Sequence, residues 1–442
     1  MTTRHLSRQS AACETYGEGW ASSQVDEWRR PAEALRTSLI EYFPSLRPGP
    51  DVLVSHEEDN EECRPRAQTL VLRRADLRPA LFDYQRDLSE QVVDLVQQRG
   101  TGLLALPTGA GKTRTAVVGL LSAYARSDAA RTVWLAPSIE LVDQAAQTFE
   151  SVWREFGTVP DVVLERGREP PVGGPSVWLT TPQSIYSRGK RRRNVGSWDT
   201  VVFDEAHQLG ARTFRGAVDF LRPPAEPGHT SLLGLSATPG RLNPDETEDL
   251  VDMFKGNLLR SRRLAPNPIR ALQRRGVLAR LDFQKLKPAE PGGMVGRFRS
   301  AAVVARDAVA AGGRMLAFAG NVPEAIVFSE VLTAVGISAR ALHSKHTEWE
   351  RRAILQSFQR GDLRGIVNQR LLATGYDCPG VTDLILLAKI GSPILFEQIV
   401  GRGARGPRIG GSATAVIWDF DDHLSTHGLP KSYYRYQDFD WR

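Results

Sequence analysis

Three short segments hold residues whose types and spacing suit phosphate chemistry. In Leu106-Pro107-Thr108-Gly109-Ala110-Gly111-Lys112-Thr113, an apolar run passes into a helix-like stretch through two glycines, a lysine and a hydroxyl. Glycines let successive backbone N–H groups wrap a phosphate chain, Lys112 reaches its β and γ phosphates, and the Thr113 hydroxyl suits magnesium. The usual first glycine of such a loop is absent, since position 106 is Leu. Val201-Val202-Phe203-Asp204-Glu205-Ala206-His207 follows about ninety residues later. An apolar strand ending in two acids delivers Asp204 to the magnesium ion and leaves Glu205 to polarise the attacking water. Gln398-Ile399-Val400-Gly401-Arg402-Gly403-Ala404-Arg405 then supplies two arginines three residues apart on a presumed helix. Arg402 and Arg405 share one face and can both reach across a cleft to a γ phosphate. Permanent charge and a fork that matches phosphate oxygens suit arginine to that task. Gln398 heads the same segment and is grouped with the two arginines and Glu205 as catalytic. These are the parts of a nucleoside triphosphatase.

Such parts need strands to carry them. From about residue 76, short runs rich in Val, Leu and Ile alternate with helical stretches: 103–106, 133–136, 177–180, 201–203 and 232–235. The rhythm returns after about residue 300, at 315–318, 339–342, 365–367, 384–387 and 415–418. Runs apolar on both faces and separated by helices are strands of a parallel sheet covered on both sides. The expected architecture is two α/β domains in tandem, at 76–250 and 300–442. Residues 1–75 mix Trp20, Trp28 and an acidic run at 57–62 with no sustained period, and are expected to form a small, partly helical appendage. Residues 251–299 form a basic connector, with ten Lys or Arg between 255 and 287 against the single acid Asp282. Two readings stay open for it, a solvated connector and a contact surface for a nucleic-acid backbone. The shorter run Arg188 to Arg193 feeds the amino end of a strand, whereas ligands of such sheets sit at carboxyl ends. It reads as a solvated loop.

Composition narrows the remaining classes. At 442 residues, 41% hydrophobic and 24% charged, the chain is neither disordered nor fibrous. No apolar run is long enough to cross a membrane, and the first twenty residues lack the apolar core of a signal peptide, so a cytoplasmic protein is expected. Cys13, Cys63 and Cys378 match no disulfide or metal spacing. The net charge of +6 permits a polyanionic partner. No Ser/His/Asp or Cys/His pattern supports a nucleophilic hydrolase, and no nuclease motif stands out. His343-Ser344-Lys345 reads as a loop after a strand.

From about residue 76 to 420 these segments, in this order, resemble the superfamily 2 helicases and translocases. Gly109 to Thr113 resembles motif I, Asp204 to His207 motif II in its Asp-Glu-Ala-His form, Ser236-Ala237-Thr238 motif III, and Gln398 to Arg405 motif VI. Arg78-Pro79 with Tyr84-Gln85 resembles the adenine-reading element, although Ala-Leu-Phe-Asp interrupts its usual form. Pro137-Ser138 with Gln144, and Thr180 to Gln183, resemble motifs that touch the nucleic-acid backbone in the family; Ala373 to Asp377 resembles motif V, which links that contact to the ATP site. The resemblance implies two RecA-like P-loop domains with parallel sheets and ATP with Mg2+ in the cleft between them. Gln85, Thr108, Gly109, Gly111, Lys112, Thr113, Asp204 and Asp377 would bind the nucleotide, and Thr113 and Asp204 the metal. Around Tyr376 to Pro379 and Gly401 to Gly403 the sequence is closest to type III restriction motor subunits and related DNA-repair translocases. An ATP-dependent DNA helicase or translocase is therefore expected, with a protein partner supplying cleavage or targeting. Alternatives stay open: an ATP-controlled nucleic-acid clamp that does not travel, the motor subunit of a larger defence or restriction complex, and an RNA helicase.

Overall fold

A computed structural model describes residues 30–46, 67–70, 80–125, 130–156, 162–190, 195–208, 212–221, 230–369, 380–427 and 441, apart from 168, 172–173, 242, 404 and 421–422. Their strands form two sheets. The first runs, in spatial order, β1 (Ala67–Leu70), β4 (Val162–Arg166), β5 (Ser176–Thr180), β3 (Arg131–Leu135), β6 (Thr200–Asp204), β7 (Ser231–Ser236), β2 (Thr101–Ala105) and β8 (Leu258–Leu259). The second runs β11 (Ala339–Leu342), β12 (Gly365–Asn368), β10 (Met315–Phe318), β13 (Asp383–Leu386), β14 (Thr414–Asp419) and β9 (Arg280–Lys285). Every pairing is parallel except β1 with β4. All ten apolar runs picked out from the sequence fall on these strands. In β2, β5, β6 and β7 every residue is buried, as helices on both faces require. No described helix is long and apolar enough to cross a membrane.

The helices follow from local chemistry. Ser138 caps the helix Ile139–Glu155 by accepting from Leu141 N at 3.4 Å, and its face Leu141, Val142, Ala145, Ala146, Phe149, Val152, Trp153 is buried. Thr347 and Glu350 form a capping box on the helix Glu348–Arg360, which ends at Gly361 with φ 88°. The helix Lys112–Tyr124 lies tightly on Asp83–Gln97, since a Cβ on Gly119 would stand 2.7 Å from Val92. That contact sets the phosphate loop beside residues 82–85.

The structure departs from the sequence reading around the domain margins. The basic segment is not a mere spacer: β8 joins the first sheet and β9 the second. Both are edge strands that need one ladder; β8 is only two residues long and β9 carries few apolar residues, so they leave little periodic signal. Two of the segment's arginines, Arg263 and Arg275, pair with Asp83 just ahead of Gln85. Arg188 is buried at the end of the helix Pro182–Lys190, where it pairs with Glu169 at 2.5 Å and lies over Trp178, so it is not part of a solvated loop. Arg191 to Arg193 lie outside the described residues.

The flanks of the chain are exchanged. A helix at 30–39, ahead of the first domain in sequence, packs on the second. Ala32, Leu39 and Leu46 share a core with Phe298, Met315 and Phe328. Arg36 forks onto the buried Glu330 carboxylate at 2.9 and 2.8 Å. Trp441, after the second domain, packs on the core of the first and donates to Pro239 O at 3.1 Å.

Candidate active site

At the carboxyl end of β2 the chain turns through residues 106–111 into the helix Lys112–Tyr124. Gly109 and Gly111 have φ of 82° and 85°, the left-handed region that costs an L side chain about 1–2 kcal/mol. A Cβ on Gly111 would also stand 2.3 Å from Gln85 Nε2. Gln85 and Tyr84 hold this loop directly: Gln85 Nε2 donates to Ala110 O at 3.1 Å and the Tyr84 hydroxyl at 2.9 Å. Gln85 Oε1 accepts in turn from Phe82 N at 3.1 Å. Arg78 and Pro79 lie outside the described residues.

β6 ends at Asp204, buried beside the loop, and Glu205 follows with φ 53°. That is a strained conformation for a non-glycine residue. It is pinned by Glu205 N donating to Asp204 Oδ1 at 3.0 Å. Lys112 Nζ lies 3.6 Å from Glu205 Oε1. Burial first, then the neighbouring Glu205 charge, pushes the Asp204 carboxyl up to about 7, while Lys112 pulls it back. Two acids facing one lysine leave the spot short of positive charge.

His207 continues the segment into the interdomain boundary. Its Nδ1 lies 3.4 Å from Glu205 Oε2 and 3.3 Å from Ser236 Oγ. Burial lowers its pKa, so the ring is neutral. Its Nε2 meets Gln398 Nε2 of the second domain at 3.4 Å, and we assign Nε2 as the acceptor from that donor set. Ser236 Oγ donates to Thr238 O at 2.6 Å and accepts from Thr238 N at 3.1 Å, tying the end of β7 to the same cluster. Gln398 therefore touches His207 and is not among the residues lining the cleft.

The second domain closes the other wall. Arg405 forms an antiparallel bridge with Leu278 and lines a cleft of about 830 Å³ together with Gln85, residues 108–113, Asp204 and Glu205. The helix Pro393–Gly403 touches the phosphate loop itself, since a Cβ on Gly401 would stand 2.8 Å from Thr108 Cβ. Arg402 belongs to that helix, whereas Arg405 lies beyond its end in the bridge with Leu278, so the two do not share one helix face as expected from their spacing; the Arg402 side chain lies outside the described residues, as do Ala373 to Asp377. Gln144 lines the cleft, and the Ser138 and Thr181 hydroxyls accept from Leu141 N and Ser184 N as helix caps. Sequence reasoning missed the ion pairs that bridge the domains, Arg351 with Glu140 and Arg352 with Asp143 at 2.6 Å. A sequence separation of about two hundred residues leaves no local trace of them.

Comparison with known proteins agrees with this arrangement. A family model described as type III restriction enzyme, res subunit, matches residues 78–241, and one described as helicase conserved C-terminal domain matches 301–407. The putative mitochondrial ATP-dependent helicase irc3 of Schizosaccharomyces pombe is 24% identical, over 81% of this chain and 60% of its own length. The putative DNA 3'-5' helicase Rad25 of Haloarcula marismortui is 26% identical, over 77% of this chain and 52% of its own. The chain thus spans little more than half the length of these two relatives. The Saccharomyces cerevisiae Dbp5 structure bound to RNA and ADP BeF3 superposes with a TM-score of 0.58, at 16% identity, covering 79% of this chain and 87% of that one. At such identity the likeness is one of fold, two RecA-like domains in tandem.

Proposed function

The chain belongs to superfamily 2 of the helicases, in the branch of the type III restriction subunits, and from that premise we propose that it is a DNA-dependent ATPase that moves along duplex DNA or unwinds it. One observation carries the reading. The phosphate loop and acid pair of the first domain and Arg405 of the second line a single cleft, so nucleotide contacts and domain closure are one event.

In this reading Gly109, Gly111 and Lys112 wrap and neutralise the triphosphate, and Glu205 orients the attacking water. Arg405, just beyond the end of the helix that carries Arg402, meets with it the charge that develops in the transition state. Gln398 acts through His207, whose other ring nitrogen faces Glu205, so closure of the second domain aligns the residue that handles water. Asp204 and Thr113 suit a magnesium ion: both line the cleft, and the raised Asp204 pKa marks an acid pair lacking positive charge. Such an ion would supply charge neutralisation on the phosphate oxygens. The Rad25 and irc3 likenesses support DNA as the track and ATP as the fuel.

The test is the ATPase rate against duplex DNA, single-stranded DNA and RNA, followed by displacement of a labelled strand or a protein roadblock from duplex DNA. Stimulation by DNA with ATP-dependent displacement is expected. Stimulation by RNA alone would overturn the choice of DNA. DNA-stimulated hydrolysis without displacement would replace the motor with a stationary clamp.

A further inference from the structure

The helix Pro393–Gly403 meets the first domain at two points, Gln398 on His207 and Gly401 against Thr108. Phe396, Ile399 and Val400 of the same helix are buried in a core of the second domain. Against that buried side lies a group of polar residues that the hydrolytic machinery does not use. β14 ends in Asp419, and a short helix, Leu424–His427, follows. Asp419 and His423 are fully buried. His423 Nδ1 lies 2.7 Å from Asp419 Oδ1, and His423 N donates to Asp419 Oδ2 at 3.2 Å. Ile390 N, in the loop just ahead of the helix Pro393–Gly403, donates to His423 Nε2 at 2.8 Å. Nε2 therefore accepts, and we assign the ring hydrogen to Nδ1, which donates to the carboxylate. His427 Nε2 donates to Ile390 O at 2.6 Å, so both backbone groups of Ile390 are held by imidazoles. The same two rings flank Phe396. His423 stacks on it with centroids 5.4 Å apart and planes 6° apart, and His427 lies at 5.7 Å. None of these three polar residues lines the cleft.

Burying a carboxylate beside an imidazole adds little to stability, since apolar side chains of similar volume often hold a core as well; what hydrogen bonds add is direction. Here the direction runs from the end of a strand, through a ring with one tautomer, to the loop and the aromatic residue that seat a single helix.

We propose that Asp419, His423 and His427 are positioning residues for ATP hydrolysis, which fix the angle at which the helix Pro393–Gly403 presents Gln398 and Gly401 to the first domain. The proposal rests on the hydrolytic reading of the cleft and extends it to residues outside the cleft.

The test compares His423→Asn with His423→Gln, because an Asn amide stands where Nδ1 does and a Gln amide reaches the place of Nε2. Asn keeps the bond to Asp419 and releases Ile390. Gln keeps an acceptor for Ile390 N and leaves the buried carboxylate short of a donor. Thermal melts should therefore rank Asn above Gln, and ATP turnover at saturation should rank them in reverse. A helix displaced by about 1 Å lowers turnover on the order of 10²-fold, which is expected for Asn, with Gln much closer to wild type. ADP affinity by calorimetry should stay unchanged in both, since the phosphate loop is untouched. Turnover that follows the melting order, or wild-type turnover in the Asn variant, would make the group a structural brace and overturn the proposal. His427→Ala, at a half-buried position, frees Ile390 O and should slow turnover several-fold at unchanged ADP affinity. Wild-type turnover there would overturn the proposal even if neither His423 variant folds. Glu205→Gln is the control. Undiminished turnover in it would sink the hydrolytic reading of the cleft, whereas its loss of turnover beside a failed ranking would sink the positioning role alone.

Discussion

Adding one methyl group to Gly401 should raise stability and lower activity together. The residue lies in the helix Pro393–Gly403, and a Cβ there would stand 2.8 Å from Thr108 Cβ and 2.9 Å from its Cγ2. Carbon atoms in contact rest about 3.5–4.0 Å apart, so the helix and the phosphate loop must part by about 0.7–1.2 Å. A displacement near 1 Å between catalytic groups costs on the order of 10²-fold in rate. Within the second domain the same change is benign, because alanine is favoured over glycine in a helix by up to about 1 kcal/mol. Gly401→Ala should therefore melt no lower than wild type, bind ADP nearly as well, and hydrolyse ATP about 10²-fold more slowly at saturation. Thr108→Gly removes both colliding atoms. In that background the effect of Gly401→Ala should shrink to a few-fold, a coupling that a double-mutant cycle reads directly. Wild-type turnover in Gly401→Ala, or an equal loss in both backgrounds, would refute the claim that this contact belongs to the hydrolytic state.

Other perturbations test separate parts of the molecule. Glu205→Gln should retain ADP binding by calorimetry and slow hydrolysis by about 10²–10⁴-fold, and undiminished turnover would remove Glu205 from the water-handling role. His343 is buried, and burial first, then the His346 and Lys345 charges, pushes its pKa down to about 3. The unfolded chain takes up that proton near pH 6.5 and the folded one does not, so stability is full above 6.5. It should fall by up to about 1.4 kcal/mol per unit as pH drops from there towards 3. Denaturant midpoints between pH 7 and 5 check the slope, and His343→Asn should flatten it. Arg36→Ala strips the fork from the buried Glu330 and should cost about 1.5–3 kcal/mol in denaturant melts. A change within 0.5 kcal/mol would mean the helix at 30–39 contributes little.

The parts of the site legible in the sequence are those whose chemistry is local. Glycines, lysine and hydroxyl fall within one turn after β2, and the acid pair ends a strand apolar at every step, so residue type and period point to them without any neighbour. Residues that owe their place to partners far away in sequence were not legible. Arg263 and Arg275 look like solvated charge until Asp83 is seen between them, and Arg188 looks exposed until Trp178 and Glu169 cover it. β9, RLDFQK, carries too few apolar residues to stand out, because as an edge strand it needs only β14. Gln398 could be grouped with motif VI, but not with His207, since only the folded interface brings the two within 3.4 Å.

The exchanged flanks bear on how the molecule can be cut. A cut near residue 279, between β8 and β9, separates the two sheets, yet it parts each half from a piece of its own covering. The upstream fragment would keep the helix at 30–39 with the apolar side chains of Ala32 and Leu39 bare, and would lose the Trp441 indole from the surface near Pro239. The downstream fragment would carry that indole with no seat and would expose the face around Phe298 and Phe328. Each half would be soluble only with the other present, so split versions should assemble when co-expressed and aggregate when made apart. A switchable enzyme could be built by dividing the chain there and bringing the pieces together with a dimerising drug.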